Sequence, residues 1–441
     1  MRTLFLIVLW CGAFCAAAAD RTVKEAVRDR LEAELPGLLT LYRHLHANPE
    51  LSFQEEKTAA RVAEELRLAG CEVTTGVGKH GVVGILKNGP GRTVLVRTDL
   101  DGLPVKEQTG LPFASQAMAR TASGEEVPVM HACGHDIHMA CLVGLARLFS
   151  QLKDCWQGTL VLIGQPAEEL GTGARAMLKD GLFSRFPKPD VSLALHDRAD
   201  MPAGMVGYTP GYALASVDSV DITVRGVGGH GAWPHTTKDP VVLAAQIVLA
   251  LQTIVSREQD PGEPAVVTVG SIHGGTKHNI IPDQVKLQLT VRTYSEESRS
   301  NVLASIQRIA RGQSVSAGLP EELLPVVTVK EESTPATYND PRLTERVAAA
   351  LRLWLGEEKV QPRPPVMGGE DFSEFGRTAE KIPICLFWVG GLNREAYEAA
   401  KREGKTMASL HSPFWAPDAE PTIRTGVTAM TAAVLQCLKG E

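Results

Sequence analysis

The chain has 441 residues, 44% hydrophobic and 22% charged, the composition of a folded globular protein too long for one ordinary core. Its 45 Lys and Arg against 51 Asp and Glu leave a net charge of −6 with no basic block. Neither nucleic acid nor an anionic membrane surface is therefore an expected partner. In chain order, Arg2 is followed by an uncharged apolar run, Leu4–Phe14, and then by the small residues Ala16–Ala19. That is the layout of a secretory signal peptide, and the run falls short of the roughly 18 residues needed to span a bilayer. Residues 1–19 are expected to be removed after Ala19, exporting the mature chain to the periplasm or outside the cell without stable membrane insertion. Of the mature cysteines, Cys71, Cys141, Cys155, Cys385 and Cys437 show no dense disulfide spacing and are expected as buried free thiols.

Residues 24–70 read as helices broken at Pro36 and Pro49 and ending at Gly70. Gly81–Leu86 and Thr93–Arg97 are short β-branched runs between turn residues, hence strands. A helix over about 137–152, the strand Thr159–Gly164, a helix over 172–180 and the strand Val191–Leu195 follow. This alternation predicts an α/β domain with a mainly parallel sheet covered by helices on both faces. Asp99 and Asp101 follow the first central strand, Glu168 and Glu169 the next, and His196 the third. Three strand ends thus carry polar residues to the rim where such sheets bind ligands. From about Ser216 the pattern becomes strand, helix, strand, strand, helix, strand, the ferredoxin-like split βαβ order. Residues 214–332 read as a smaller α+β domain inserted into a larger one, 20–213 and 333–441, which carries His411.

The string HACGHDIHMA (131–140) places His131, Cys133, His135, Asp136 and His138 within eight residues. A lone Cys or His is usually a satisfied core residue. Five donors beside two glutamates at another strand end favour a metal site instead. Cys133 and His135, two apart on an extended segment entering a helix, with Glu169, His196 and His411, supply the thiolate, imidazole and carboxylate donors that divalent transition metals prefer. Which members of the 131–138 cluster are ligands stays open on spacing alone, and Asp136 or a neighbour can cap the helix. Glu168, next to Glu169 and pointing another way, suits a general base. His230 in GVGGHGAWPH, Asn279, Arg292 and Gly368–Asp371 are candidates for handling substrate.

Taken as a set, RTDLDGLP, MHACGHD, QPAEE, GHGAWPH, NIIPD, GGEDF and LHSPF resemble the dinuclear metallohydrolases of the aminoacylase/carboxypeptidase family. The similarity is strongest to the branch of hippurate hydrolases, N-acyl-amino-acid amidohydrolases and plant auxin-conjugate hydrolases. It runs from about Tyr42, in LYRHLHANPELSFQE, to Pro417. The resemblance implies a catalytic domain with an inserted lid or dimerisation domain, and two divalent metal ions, zinc or manganese. It implies Cys133, His135, Glu169, His196 and His411 as ligands, Glu168 as base, and Asp101 as a residue steadying the site from behind. It further implies that His230 polarises the substrate carbonyl, from the same or a partner subunit, while Asn279 and Arg292 meet the substrate carboxylate. A homodimer through the inserted domain is a candidate assembly. The implied reaction is hydrolysis of a small-molecule N-acyl-L-amino acid, such as a hippurate-like amide, to a carboxylic acid and an amino acid. The alternatives are a dipeptidase or carboxypeptidase of the same family, and a non-catalytic metal or amino-acid binding protein of the cell envelope. The intact Glu168 argues against the last. Lys277 and His278 depart from the family pattern by adding positive charge beside Asn279.

Overall fold

In the computed structural model of the chain, residues 4–331 and 333–439 are described, with side chains from Thr22 onward. The expected signal peptide, residues 1–19, lies outside the residues with described side chains. The chain divides into two compact units. The larger takes residues up to Gly211, Asn339–Pro364 and those from Glu374 onward; the smaller takes Tyr212–Tyr338 and Pro365–Ser373. The smaller unit thus reaches a few residues past 214–332 at each end and includes the Gly368–Asp371 loop.

The larger unit is built on an eight-stranded sheet. Its order is Glu72–Val77, Gly81–Asn88, Gly158–Gln165, Thr93–Asp99, Val191–Pro202, Ile384–Leu392, Val206–Tyr208 and Val360–Pro362. The four middle strands are mutually parallel, and antiparallel pairings flank them. Alternate residues of the middle strands, Val94, Val96, Leu160, Leu162, Leu193 and Leu195, enter one apolar core. Helices Leu4–Ala47, Glu56–Leu68, His135–Gln151, Pro341–Leu355 and Ala419–Leu438 pack over that face. Gly173–Lys179 lies against the sheet through the strand Gly158–Gln165.

The break expected at Pro36 does not occur: Pro36 sits inside the helix Leu4–Ala47. An interior proline costs about 3 kcal/mol. Leu31, Leu35, Leu38, Leu41 and Leu45 are all buried along the same helix, each contributing about 1.5–3 kcal/mol, so packing overrides the local penalty. Pro49 does fall in a break, between Ala47 and Glu56. The strand carrying His196 is also longer than expected, because its parallel partner continues the ladder through Trp388↔His196 and Val389↔Asp197. All six cysteines outside residues 1–19 are free, and all but Cys155 are buried.

The smaller unit has a four-stranded antiparallel sheet in the order Val266–Gly274, Gln284–Arg292, Asp218–Arg225, Val326–Val329. With helices Pro240–Thr253 and Glu296–Ser316, this is the split βαβ arrangement. Asp239 and Ser295 cap the two helices through Val241 N–H and Ser298 N–H. Leu243, Ala244, Ile247 and Leu251 bury one face of the first helix, while Val241, Val242 and Leu249 are exposed.

Candidate metal centre

Three backbone turns in the larger unit gather the donors. Between Cys133 and His135 the chain reverses at Gly134, where φ is +76° and an added Cβ would lie 2.5 Å from the Asp197 carboxylate. Only glycine fits there. The helix therefore begins at His135 itself, and the expected extended segment is a left-handed turn. Asp136 makes no cap; it binds Ile137 N–H and His46. The second turn follows the strand Gly158–Gln165, where Ala167 has φ +49°. The third is at His411, φ +66°, whose N–H donates to Ala132 O at 2.7 Å and ties the SLHSPF loop to the Cys133 turn.

Cys133 Sγ lies 3.6 Å from His196 Nε2 and 3.3 Å from His411 Nε2. Glu169 Oε1 lies 3.6 Å from His411 Nε2 and 3.9 Å from His135 Nε2. Ligands bound at about 2.0–2.3 Å around a tetrahedral ion stand roughly 3.3–3.8 Å apart. These separations match the edges of a coordination polyhedron. Two donor triplets, Cys133–His135–His196 and Cys133–Glu169–His411, share the thiol sulfur. His135 Nδ1–H donates to Asp101 O at 2.8 Å, and His196 Nδ1–H to Asp197 O at 2.7 Å. Each bond fixes the tautomer that leaves Nε2 as the donor atom. Among the described residues, His135 Nε2 and Glu169 Oε1 are buried without a hydrogen-bond partner, as befits atoms meant for an ion. The donor set fits divalent metal.

Burial, helped by the Glu169 carboxylate, pushes the Cys133 thiol well above its usual range. Burial likewise raises Glu169 to about 7. Against the opposing effect of burial, Asp99 and Asp101 hold His135 well above the imidazole range. His411 is lowered by burial and by the nearby His135 and His196. The metal-free centre thus favours a protonated thiol and an imidazolium, and a divalent cation inverts both.

The Asp101 carboxylate accepts Glu168 N–H at 3.1 Å, Glu169 N–H at 3.0 Å and the Ser52 hydroxyl at 2.6 Å. Behind the ligands runs a second buried chain. Arg97 donates to Asp99 at 2.7 Å, Asp99 accepts His138 Nδ1–H at 2.7 Å, and His138 Nε2 lies 3.1 Å from Asp197. His138, a candidate ligand by spacing, is therefore engaged at both nitrogens. His131 is buried, and neither of its nitrogens has a hydrogen-bond partner among the described residues. A third cluster joins His46 to Asp136 at 2.7 Å and to Glu107 at 3.0 Å. Sequence reasoning missed Asp197, Ser52, His46 and Glu107; the signals for the first three were the strings His196-Asp197 and LYRHLHANPELSFQE, and Glu107 lies outside both.

In the smaller unit, His230 is exposed on a two-residue strand, Gly229–His230, and is paired with Ile280 of a strand far along the chain. Its Nδ1 accepts Ala232 N–H at 3.0 Å, which leaves the proton on Nε2, and its ring lies 5.0 Å from that of Trp233. Asn279 O accepts Gly231 N–H at 2.9 Å, which sets Asn279 beside the His230 turn, and Lys277 and His278 precede it, exposed. Arg292 is half-buried, donates to Thr290 Oγ1 at 3.1 Å and makes no ion pair among the described residues.

Residues 95–435 match the family model described as peptidase family M20/M25/M40. The chain belongs to that family. It is 38% identical over 362 residues, 81% of this chain and 86% of the relative, to "Thermostable carboxypeptidase 2" of Saccharolobus solfataricus. It is 35% identical over 383 residues, 85% and 94% of the two chains, to "N-acetylcysteine deacetylase" of Bacillus subtilis. Its fold superimposes with a TM-score of 0.74, at 29% identity and covering 93% of this chain and 100% of the other, on the Bacillus subtilis YXEP protein, described as a dinuclear metal binding peptidase of the M20 family. This M20 chain is a metal-dependent hydrolase of amide bonds.

Proposed function

We propose that this M20 hydrolase cleaves N-acyl-L-amino acids, hippurate-like amides among them, to a carboxylic acid and a free amino acid. The observation that carries the reading is the carboxylate of Glu168 at the donor cluster, with Oε2 3.9 Å from His135 Nε2. The likeness to an N-acetylcysteine deacetylase supports the acyl-amino-acid class. Cys133, His135, Glu169, His196 and His411 would hold two divalent ions, zinc or manganese. Such ions supply the Lewis acidity that acidifies water and polarises an amide carbonyl. Glu168 takes the proton of the attacking water and returns it to the leaving amine nitrogen. His230, with its proton on Nε2, donates to the oxyanion of the tetrahedral intermediate. Asn279 and Arg292 receive the substrate carboxylate, for which an Arg without an acidic partner is suited. Whether His230 serves its own subunit or a partner is tested by mixing inactive Glu168→Gln and His230→Ala proteins, because in-trans action restores activity in hybrid dimers.

Export after cleavage at Ala19 is part of the same proposal, and N-terminal sequencing of protein from its native host tests it. A homodimer is favoured by the exposed stripe of Val241, Val242 and Leu249 on a helix whose other face is already buried; light scattering reads the mass. The rival reading, a dipeptidase or carboxypeptidase, draws support from the likeness to a carboxypeptidase. A panel of N-acetyl and N-benzoyl amino acids against dipeptides decides between them. The proposal expects kcat/KM at least about tenfold higher on the acyl amino acids, a gap of 1.4 kcal/mol or more. The reverse order makes the chain a dipeptidase.

A further inference from the structure

Beyond the Ser52 hydroxyl on Asp101, the segment Glu50–Glu55 closes on the loop that carries Glu168 and Glu169. Glu55 is fully buried, and its Oε1 accepts Phe53 N–H at 2.9 Å and Ala167 N–H at 2.7 Å. The next two N–H groups, of Glu168 and Glu169, go to Asp101. The left-handed turn at Ala167 gathers these successive donors as in an anion-binding nest. Here the protein's own two buried carboxylates fill it. On its other side the loop packs closely on Gly173, whose N–H donates to Ala167 O at 3.2 Å and where a Cβ would lie 1.5 Å from Pro166 O. The segment itself is pinned: Gly102 N–H donates to Glu50 O at 2.7 Å, and the Ser52 hydroxyl reaches Asp101.

We propose that Glu55 is a positioning residue, which sets Glu168 and Glu169 at the metal centre by accepting the Ala167 N–H. What matters is its acceptor oxygen, not its charge. A left-handed, non-glycine backbone is strained, so Ala167 keeps its conformation only while its surroundings impose it. Burial, with Asp101 beside it, raises the Glu55 carboxyl to about 7, so the neutral form is already accessible near neutral pH. Glutamine, which keeps one acceptor oxygen at the same reach, should therefore substitute for it.

The inference rests on the roles proposed for Glu168 and Glu169, but its structural half can be read without them. Hydrogen exchange is followed in metal-free wild type, Glu55→Ala, Glu55→Asp and Glu55→Gln, on a peptide spanning Ala167–Glu169. Loss of the acceptor should speed exchange at Ala167 at least about tenfold in the Ala and Asp proteins, and Gln should restore protection. Metal affinity should fall about 10–100-fold in the same two proteins and recover in Gln. If Glu55→Ala does not fold, the Asp and Gln pair decides. Unchanged exchange in Glu55→Asp, or a Gln protein as unprotected as Asp, would overturn the proposal. Faster exchange in Glu55→Asp alongside a fully active Glu168→Gln enzyme would count against the base assignment and leave the Glu55 clamp standing.

Discussion

Asp101 accepts the backbone N–H of Glu169 at 3.0 Å while its own carbonyl oxygen accepts Nδ1–H of His135 at 2.8 Å. One residue therefore fixes a carboxylate donor that follows a strand and the tautomer of an imidazole donor that opens a helix. In Asp101→Asn an amide NH2 must replace one acceptor oxygen, setting donor against donor at Glu168 N–H or Glu169 N–H, whichever way the amide is turned. Metal affinity or turnover should drop about 10–100-fold, as for other residues that orient ligands. Competition against a chelator, with kcat measured at saturating metal, separates the two losses.

Glu168→Gln keeps the side-chain shape and the N–H bond to Asp101 but removes the proton acceptor. Metal content and fold should be unchanged, and kcat should fall by roughly 100-fold or more. Metal analysis and steady-state kinetics on the same preparation check this. Near-normal turnover at full metal occupancy removes Glu168 from the base role.

Much of this architecture is legible in the sequence because it is written in local pattern. The runs around Leu95, Leu162 and Leu193 read as buried strands, and the helix–strand alternation reads as a parallel sheet. The donor strings were visible for a related reason: Cys133, Glu169 and His411 each lie beside a turn, where a polar residue in an apolar context stands out. Contacts made across the chain were not visible. His46 meets Asp136 across 90 positions and Glu55 meets Ala167 across 112, and no periodicity encodes such pairs. Spacing also cannot tell a ligand from its support. His138 sits three residues from His135 and looks equally able to bind metal, until both its nitrogens are seen to be taken by Asp99 and Asp197. Pro36 misled because a local penalty was weighed without the burial that outweighs it.

Cys133 gives a chemical handle on the centre. In metal-loaded protein it should resist alkylation. After chelation, burial and the Glu169 carboxylate hold the thiol protonated, so modification should stay slow at neutral pH and accelerate only in strongly alkaline solution. Site-resolved mass spectrometry measures it. Equal reactivity with and without metal in alkaline solution, or a disulfide at Cys133 in active protein, contradicts the assignment.

His46 should be a stability residue. Asp136 and Glu107, against the opposing effect of burial, raise it to about 10. Its unfolded-state pKa is near 6.5, so its charged form contributes fully below about 6.5, and the contribution is lost as pH rises through about 10. His46→Ala leaves two buried carboxylates without their cation, a change that typically costs about 3–5 kcal/mol. Thermal melts at neutral pH should show a large loss in the variant, and the gap from wild type should narrow above pH 10. An unchanged melting temperature would contradict this.

On the proposed function, the gathered donors hold the metal with which this chain hydrolyses N-acyl amino acids. The direct measurement is stepwise reconstitution of chelated protein with zinc or manganese, following bound metal per chain and amino acid release from an N-acyl amino acid in the same samples. Amino acid release should be lost on chelation, return with added metal and level off near two ions per chain; the Cys133→Ser and His411→Ala proteins should bind fewer ions. Full turnover by metal-free protein, or full metal binding with no release from any N-acyl amino acid, would contradict it.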